Sequence, residues 1–189
     1  TCGMRFIYVS VVDAAPACPL TLRDEGRAMV GAWSEHAGQG GRLETALPGG
    51  MTLDEVAEAL EQTATRWQVG VAVYAQAFVE ANASGGAELS CARMIGLQLA
   101  CAARAYRWHS HRLACMAKLG LEPPCEAPMD ATFERLLREE LVDARAAAEL
   151  CQRDARLGFH QEAQAVFYDE ARIREKIRRL EATLAGKAM

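Results

Sequence analysis

Residues 133–151, FERLLREELVDARAAAELC, and residues 167–184, FYDEARIREKIRRLEATL, decide the fold. In the first stretch Phe133, Leu137, Ala144, Ala147 and Cys151 recur at helical spacing. In the second region Ala163, Val166, Ile173, Ile177, Leu180 and Leu184 do the same. Apolar residues three and four apart share one face of a helix, so each stretch predicts an amphipathic helix with a seam to bury. Each seam carries one acid where an apolar residue is expected: Glu140 in the first and Glu170 in the second. The spacing predicts helices over about 131–157 and 160–185, broken by Gly158.

Working outward, Thr52-Leu53-Asp54-Glu55 has the form of a capping box, in which hydroxyl and carboxylate satisfy each other's orphan amides. Leu53, Val56, Leu60, Trp67, Val71, Tyr74 and Phe78 then keep one face to about Ala83, where Ser84-Gly85-Gly86 ends the run. A further helix over about 87–119 has the seam Ala92, Ile95, Leu99, Ala102, Tyr106, His109, Leu113 and Met116. Gly120 is its natural stop. Prolines in the connection 121–128 forbid helix there, and Asp130 or Thr132 can cap the next one. Helices of this length joined by short breakers pack as antiparallel neighbours. The expected fold is all-α: an antiparallel up-and-down four-helix bundle over residues 51–189.

Residues 1–50 carry no sustained period and are heavy in glycine and proline, so they are expected to be an irregular, loosely held extension. A short strand over 5–12 and a short helix over 21–35 are the elements expected there, with Met51 standing where a native start would fall.

Composition excludes several classes. A net charge of −4 argues against a nucleic-acid binder, which needs a basic face. No apolar run is long enough for a membrane span. The seven cysteines are odd in number, scattered and without a C-x-x-C pair, which suits reduced thiols in a cytoplasm. No phosphate loop, dinucleotide fingerprint, nucleophile elbow or H-E-x-x-H occurs.

Polar residues on the seams set the candidate chemistry. Glu140, Glu170 and His109 each lie where a metal ligand of a bundle would point inward. The competing reading pairs each carboxylate with an arginine, such as Arg104, Arg145 or Arg174, because a buried carboxylate needs a partner. In the cluster Tyr106 to Arg112, His111 is expected to face solvent, while His109 is expected at the core boundary. Cys101 and Cys115 share a stripe with Met94 and Trp108, and packing accounts for them better than copper or zinc. The run Arg172, Arg174, Glu175, Lys176, Arg178, Arg179 reads as a basic outer face. A ligand-binding module would require an apolar pocket near Trp67, Tyr106 and Trp108.

The two C-terminal stretches resemble the second half of ferritin-like, rubrerythrin-type bundles, in which an early Glu on one helix faces a D-E-x-x-H on the next. That resemblance implies a carboxylate-bridged iron or manganese site. The ligand set here is incomplete: Ile173 stands where the histidine after Glu170 would be. Tyr106-Arg107-Trp108-His109 stands in place of E-x-x-H, and Thr63 and Gly70 occupy the register of the first helix's acid. The first functional expectation is therefore a non-catalytic bundle of ferritin-like shape without a cofactor. It would act by self-association, as a homodimer through an alanine-rich helix face, or by binding a protein partner. The alternative is an iron- or manganese-binding bundle using Glu140, Glu170 and His109, completed across a dimer.

Overall fold

The computed structural model describes residues 12, 15–17, 20–22, 50–81, 86–122, 125–160, 165–166 and 168–186. Four helices account for most of them: α1 (Leu53–Ala81), α2 (Gly86–Leu119), α3 (Ala131–Arg153) and α4 (Glu170–Leu184). A two-stranded antiparallel ladder, β1 (Phe159–His160) with β2 (Ala165–Val166), joins α3 to α4. The all-α four-helix architecture is the one the seams demand. Among the described residues no helix is long and apolar enough to cross a membrane.

The helix ends follow from local chemistry. Thr52 and Glu55 close the capping box: the Glu55 amide donates to Thr52 Oγ1 at 3.2 Å, and the Thr52 amide donates to Glu55 Oε2 at 2.7 Å. At the end of α2 the amides of Gly120 and Leu121 donate back to the carbonyls of Ala117 and Met116, at 3.2 and 2.9 Å, and Gly120 takes φ +64°. That is the double bond pattern a glycine stop provides. Asp130 caps α3 by accepting from the amides of Thr132 and Phe133, both at 2.9 Å. Asp169 caps α4 by accepting from the Arg172 amide at 2.8 Å.

Two boundaries differ from expectation. α3 stops at Arg153 rather than near Leu157, and α4 begins at Glu170 rather than near His160. Asp154 turns the chain out of α3, its carboxylate accepting from the Arg156 amide and guanidinium. Gly158 then takes φ +87° and lies so close to Tyr168 that a Cβ there would sit 2.0 Å from the Tyr168 carbonyl oxygen. That approach bends the chain into the β1–β2 ladder, where Phe159 pairs with Val166. Phe159 and Val166 are strand formers, and the ladder takes Val166 out of the helix that periodicity alone predicted.

The packing order is α1 on α2, α2 on α3, and α3 on α4. Two apolar clusters result, and α2 belongs to both. On one side Met94, Trp108 and Met116 of α2 meet Phe133, Leu136, Leu137, Ala144 and Ala147 of α3, with Ile173 and Leu180 of α4. On the other side Cys101, Ala102 and Tyr106 of α2 meet Leu53, Val56 and Ala57 of α1. Serving two cores, α2 needs small residues nearly all round between Cys101 and Ala105, hence its alanines.

Pieces of the N-terminal segment belong to these cores. A 3-10 turn, Ala15–Ala17, packs on α2 and α4, and Leu20 is buried among α2 and α3 side chains. Trp108 Nε1 and Arg112 Nη1 both donate to the Thr21 carbonyl, at 2.7 and 3.1 Å. The Ala127 amide donates to the Leu22 carbonyl at 3.1 Å. The strand expected over 5–12 and the helix expected over 21–35 lie outside the described residues, apart from Val12, Thr21 and Leu22.

Candidate functional site

Glu140 sits on the inner face of α3 and is 1% exposed. The Arg104 Nε donates to its Oε2 at 2.5 Å, and the Lys176 ammonium donates to its Oε1. Arg104 also pairs with Asp143, and Lys176 donates to the Ala15 carbonyl at 2.9 Å. Two cations and two carboxylates therefore balance inside the bundle, contributed by α2, α3 and α4. Burial raises the Glu140 carboxyl, but Lys176 and Arg104 together pull harder and hold it below the usual carboxylate range. Burial opposes charge on Arg104, yet Glu140 beside it makes the guanidinium still harder to deprotonate. Cys101 lies next to this group, with Arg104 Nη2 3.7 Å from its sulfur. Burial, assisted by the Glu140 charge, pushes its thiol up to about 12, so it stays a neutral packing group.

Lys176 was expected on a basic outer face; the structure buries it instead, 1% exposed. Ile173, Lys176 and Leu180 lie three and four apart, so the lysine is part of the seam. Its partner Glu140 supplies the reason it can be there.

The three ligands expected for iron or manganese are placed separately. Glu170 is the first residue of α4, half-exposed, and its Oε1 accepts from Arg174 at 2.8 Å. His109 is buried in α2, and its Nδ1 lies 2.8 Å from Arg112 Nη2, which donates to it. Both carboxylates thus take arginine partners, Arg104 for Glu140 and Arg174 for Glu170, two of the three arginines expected for that role. Glu140, Glu170 and His109 do not converge on one ion. Among the described residues the grouping that does converge is His111, Cys115 and Asp130, whose ligand atoms all lie within 4.8 Å of one another.

That grouping stands where the end of α2 meets the start of α3. His111 and Cys115 are four apart on α2 and so share a face. His111 Nε2 is 2.7 Å from Asp130 Oδ2 and 3.6 Å from Cys115 Sγ, and the thiol is 3.8 Å from the same Asp130 oxygen. The His111 ring stands edge-on to Phe133 with centroids 4.6 Å apart. His111 was expected to face solvent and is half-buried instead. The helical H-x-x-x-C pair was the signal in the sequence, but it needed Asp130, fifteen positions beyond Cys115, to acquire meaning.

The apolar pocket expected near Trp67, Tyr106 and Trp108 does not form from those three. Trp108 is buried against Phe133, with ring centroids 4.5 Å apart, and Tyr106 belongs to the α1–α2 cluster. Trp67 instead lines an open groove of about 310 Å³ with Val71, Leu97 and Leu150, and Arg93, Glu149 and Arg153 stand at its rim. Trp67 Nε1 donates to the Ala92 carbonyl at 2.6 Å, which fixes the indole in place.

No family model, no curated protein and no solved structure matches the chain.

Proposed function

We propose that this is a non-catalytic helical bundle of ferritin-like shape that acts by self-association, with a second copy of the chain covering the groove between α1, α2 and α3. One observation carries the reading. The stripe of α1 that is buried at Leu53, Val56, Ala57 and Ala64 continues through Trp67, Val71 and Tyr74, where it has little to cover it. Trp67 is 38% and Tyr74 39% exposed, and Ile95 on α2 beside them is 38% exposed. With 15 residues against 29, α4 spans about 22 Å where α1 spans about 43 Å. A closed bundle would need a fourth helix as long as the first.

The groove suits its own copy. A two-fold interface brings one patch against itself, so the patch must be self-complementary. Here an apolar strip with a fixed tryptophan is lined also by Arg93 and by the ion pair of Glu149 with Arg153. Buried, immobilised aromatics flanked by mixed charge are the usual anchors of such contacts. The ferritin-like part of the reading rests on the pattern of the two C-terminal stretches, with Glu140, on the inner face of α3, neutralised here by Lys176 and Arg104. A reducing, cytoplasmic setting accords with the free thiols of Cys91, Cys101, Cys115, Cys125 and Cys151.

Sedimentation velocity over a concentration series tests this. The parent chain is expected to form a dimer, and Val71→Asp/Tyr74→Asp a monomer of unchanged helicity. A parent chain that stays monomeric up to its solubility limit, or a double variant that still dimerises, refutes the proposal.

A further inference from the structure

The grouping at the α2–α3 junction calls for an account that self-association does not supply. A hydrogen-bonded His–Asp pair would explain two of its members, and a relay would explain three if the histidine bridged the others. The geometry fits neither. In a relay the two ring nitrogens face different partners, one the nucleophile and the other the carboxylate. Here Cys115 Sγ and Asp130 Oδ2 both converge on the same nitrogen, His111 Nε2, at 3.6 and 2.7 Å. Convergence of a nitrogen, a sulfur and an oxygen on one point is the arrangement of ligands around an ion.

We infer that His111, Cys115 and Asp130 form a three-ligand site for a zinc-class divalent cation, with the fourth position open to water. The distances decide this. Bonds of about 2.3 Å to sulfur and about 2.05 Å to nitrogen and oxygen, set tetrahedrally, give edges of about 3.6 Å for N···S and S···O and about 3.3 Å for N···O. The structure has 3.6 Å for N···S, 3.8 Å for S···O and 2.7 Å for N···O. Two edges already match, and the third opens by about 0.6 Å when an ion replaces the hydrogen between His111 and Asp130.

The ligands are also held in place by what lies behind them. Asp130 Oδ1 is fixed by the amides of Thr132 and Phe133, both at 2.9 Å, which leaves Oδ2 turned towards His111 and Cys115. The edge contact with Phe133 sets the His111 ring. Such support is what orients ligands in metal sites. The donor set of one imidazole, one thiolate and one carboxylate suits zinc better than magnesium or calcium, which take oxygen alone. With His111 27% and Asp130 42% exposed, an ion can enter from solvent.

The step balances simply. The Cys115 thiol gives its proton to water as the sulfur bonds to the ion. His111 binds the ion through its Nε2 lone pair, with the ring proton on Nδ1 and any proton leaving Nε2 taken up by water. Asp130 is already ionised. The bound ion would fasten the end of α2 to the start of α3 across the connecting segment.

Cobalt(II) titration of the full-length reduced chain, followed by displacement with zinc(II), tests the inference. The expected result is one cobalt per chain with tetrahedral visible bands and a near-ultraviolet sulfur-to-cobalt band, all abolished by zinc. Cys115→Ser should remove the sulfur band. Asp130→Asn, which still caps α3, should weaken binding at least tenfold, as should His111→Gln; circular dichroism should show all three variants folded. Absence of stoichiometric binding by the parent overturns the inference. So does a sulfur band that survives Cys115→Ser, or an affinity that Asp130→Asn leaves unchanged.

Discussion

Replacing Lys176 by methionine keeps the length and apolar stem of the side chain and removes the ammonium that lies between Glu140 and the Ala15 carbonyl. Two acceptors then lose their donor in the core. An unsatisfied buried acceptor costs about 1–3 kcal/mol. Breaking a buried pair by removing one member costs about 3–5 kcal/mol. These costs overlap, and Arg104 still binds the other Glu140 oxygen at 2.5 Å. The expected loss for Lys176→Met is therefore about 3–5 kcal/mol. In urea unfolding followed by circular dichroism, with a slope of about 2 kcal/mol/M, the midpoint should fall by about 2 M. Adding Glu140→Leu should restore most of the loss, since an apolar replacement of both members is often neutral or stabilising. Arg104 then keeps Asp143 and its route to solvent. Acidity supplies a second readout. The folded Glu140 carboxyl lies below its unfolded value, so its contribution is complete above the ordinary carboxylate range, about 4.3, and is lost as pH falls through the lower folded value. The groups facing it are Lys176, Arg104, Asp143 and the neutral Cys101. The parent should shed that increment in acid and the double variant should not. A single variant costing less than about 1 kcal/mol, or a double variant losing the sum of both singles, refutes the argument that these charges are a closed, coupled set.

Two further outcomes are expected. Gly158→Ala should cost about 2–4 kcal/mol in a thermal or urea melt, because it combines an unfavourable positive φ with a Cβ 2.0 Å from the Tyr168 carbonyl. Gly120→Ala, at φ +64° with nothing within 4 Å, should cost only about 1 kcal/mol; equal losses would mean that the contact with Tyr168 contributes nothing. Thiol labelling mapped by mass spectrometry should modify the exposed Cys91 rapidly and spare Cys101 and Cys151 until the chain unfolds. Burial pushes those two thiols up to about 12 and about 11 respectively; fast labelling of either would contradict that packing.

Much of the fold was legible because its signals are local. The Thr52 capping box, the Gly120 stop and the Asp130 cap each act within a few residues, and the structure has all three where spacing places them. The arginine partners of Glu140 and Glu170 were also within reach. The rest depended on contacts distant in sequence. The start of α4 was misplaced because helical period continues through Ala163 and Val166, while the close approach of Gly158 to Tyr168 overrides it. Lys176 was mistaken for surface because its neighbours Arg174, Arg178 and Arg179 are surface, and only the pairing with Glu140 reverses that. His111, Cys115 and Asp130 were each read singly, as a solvent-facing ring, a packing thiol and a cap. Their convergence belongs to the junction of two helices and to neither helix alone.

The N-terminal pieces are anchored in a way that matters for how the chain can change. Their polar attachments are made by main-chain oxygens, those of Ala15, Thr21 and Leu22, which receive Lys176, Trp108 with Arg112, and Ala127. A carbonyl is present whatever the side chain, so replacing Thr21 leaves both of its bonds in place. Substitution at Thr21 is therefore tolerated where a change of path is not, whereas Ala15, Pro16 and Leu20 are themselves buried. Side-chain scanning would pass over these anchors. An amide-to-ester replacement that weakens a single carbonyl would reveal them, and with them the dependence of a buried lysine on a peptide oxygen 161 positions away.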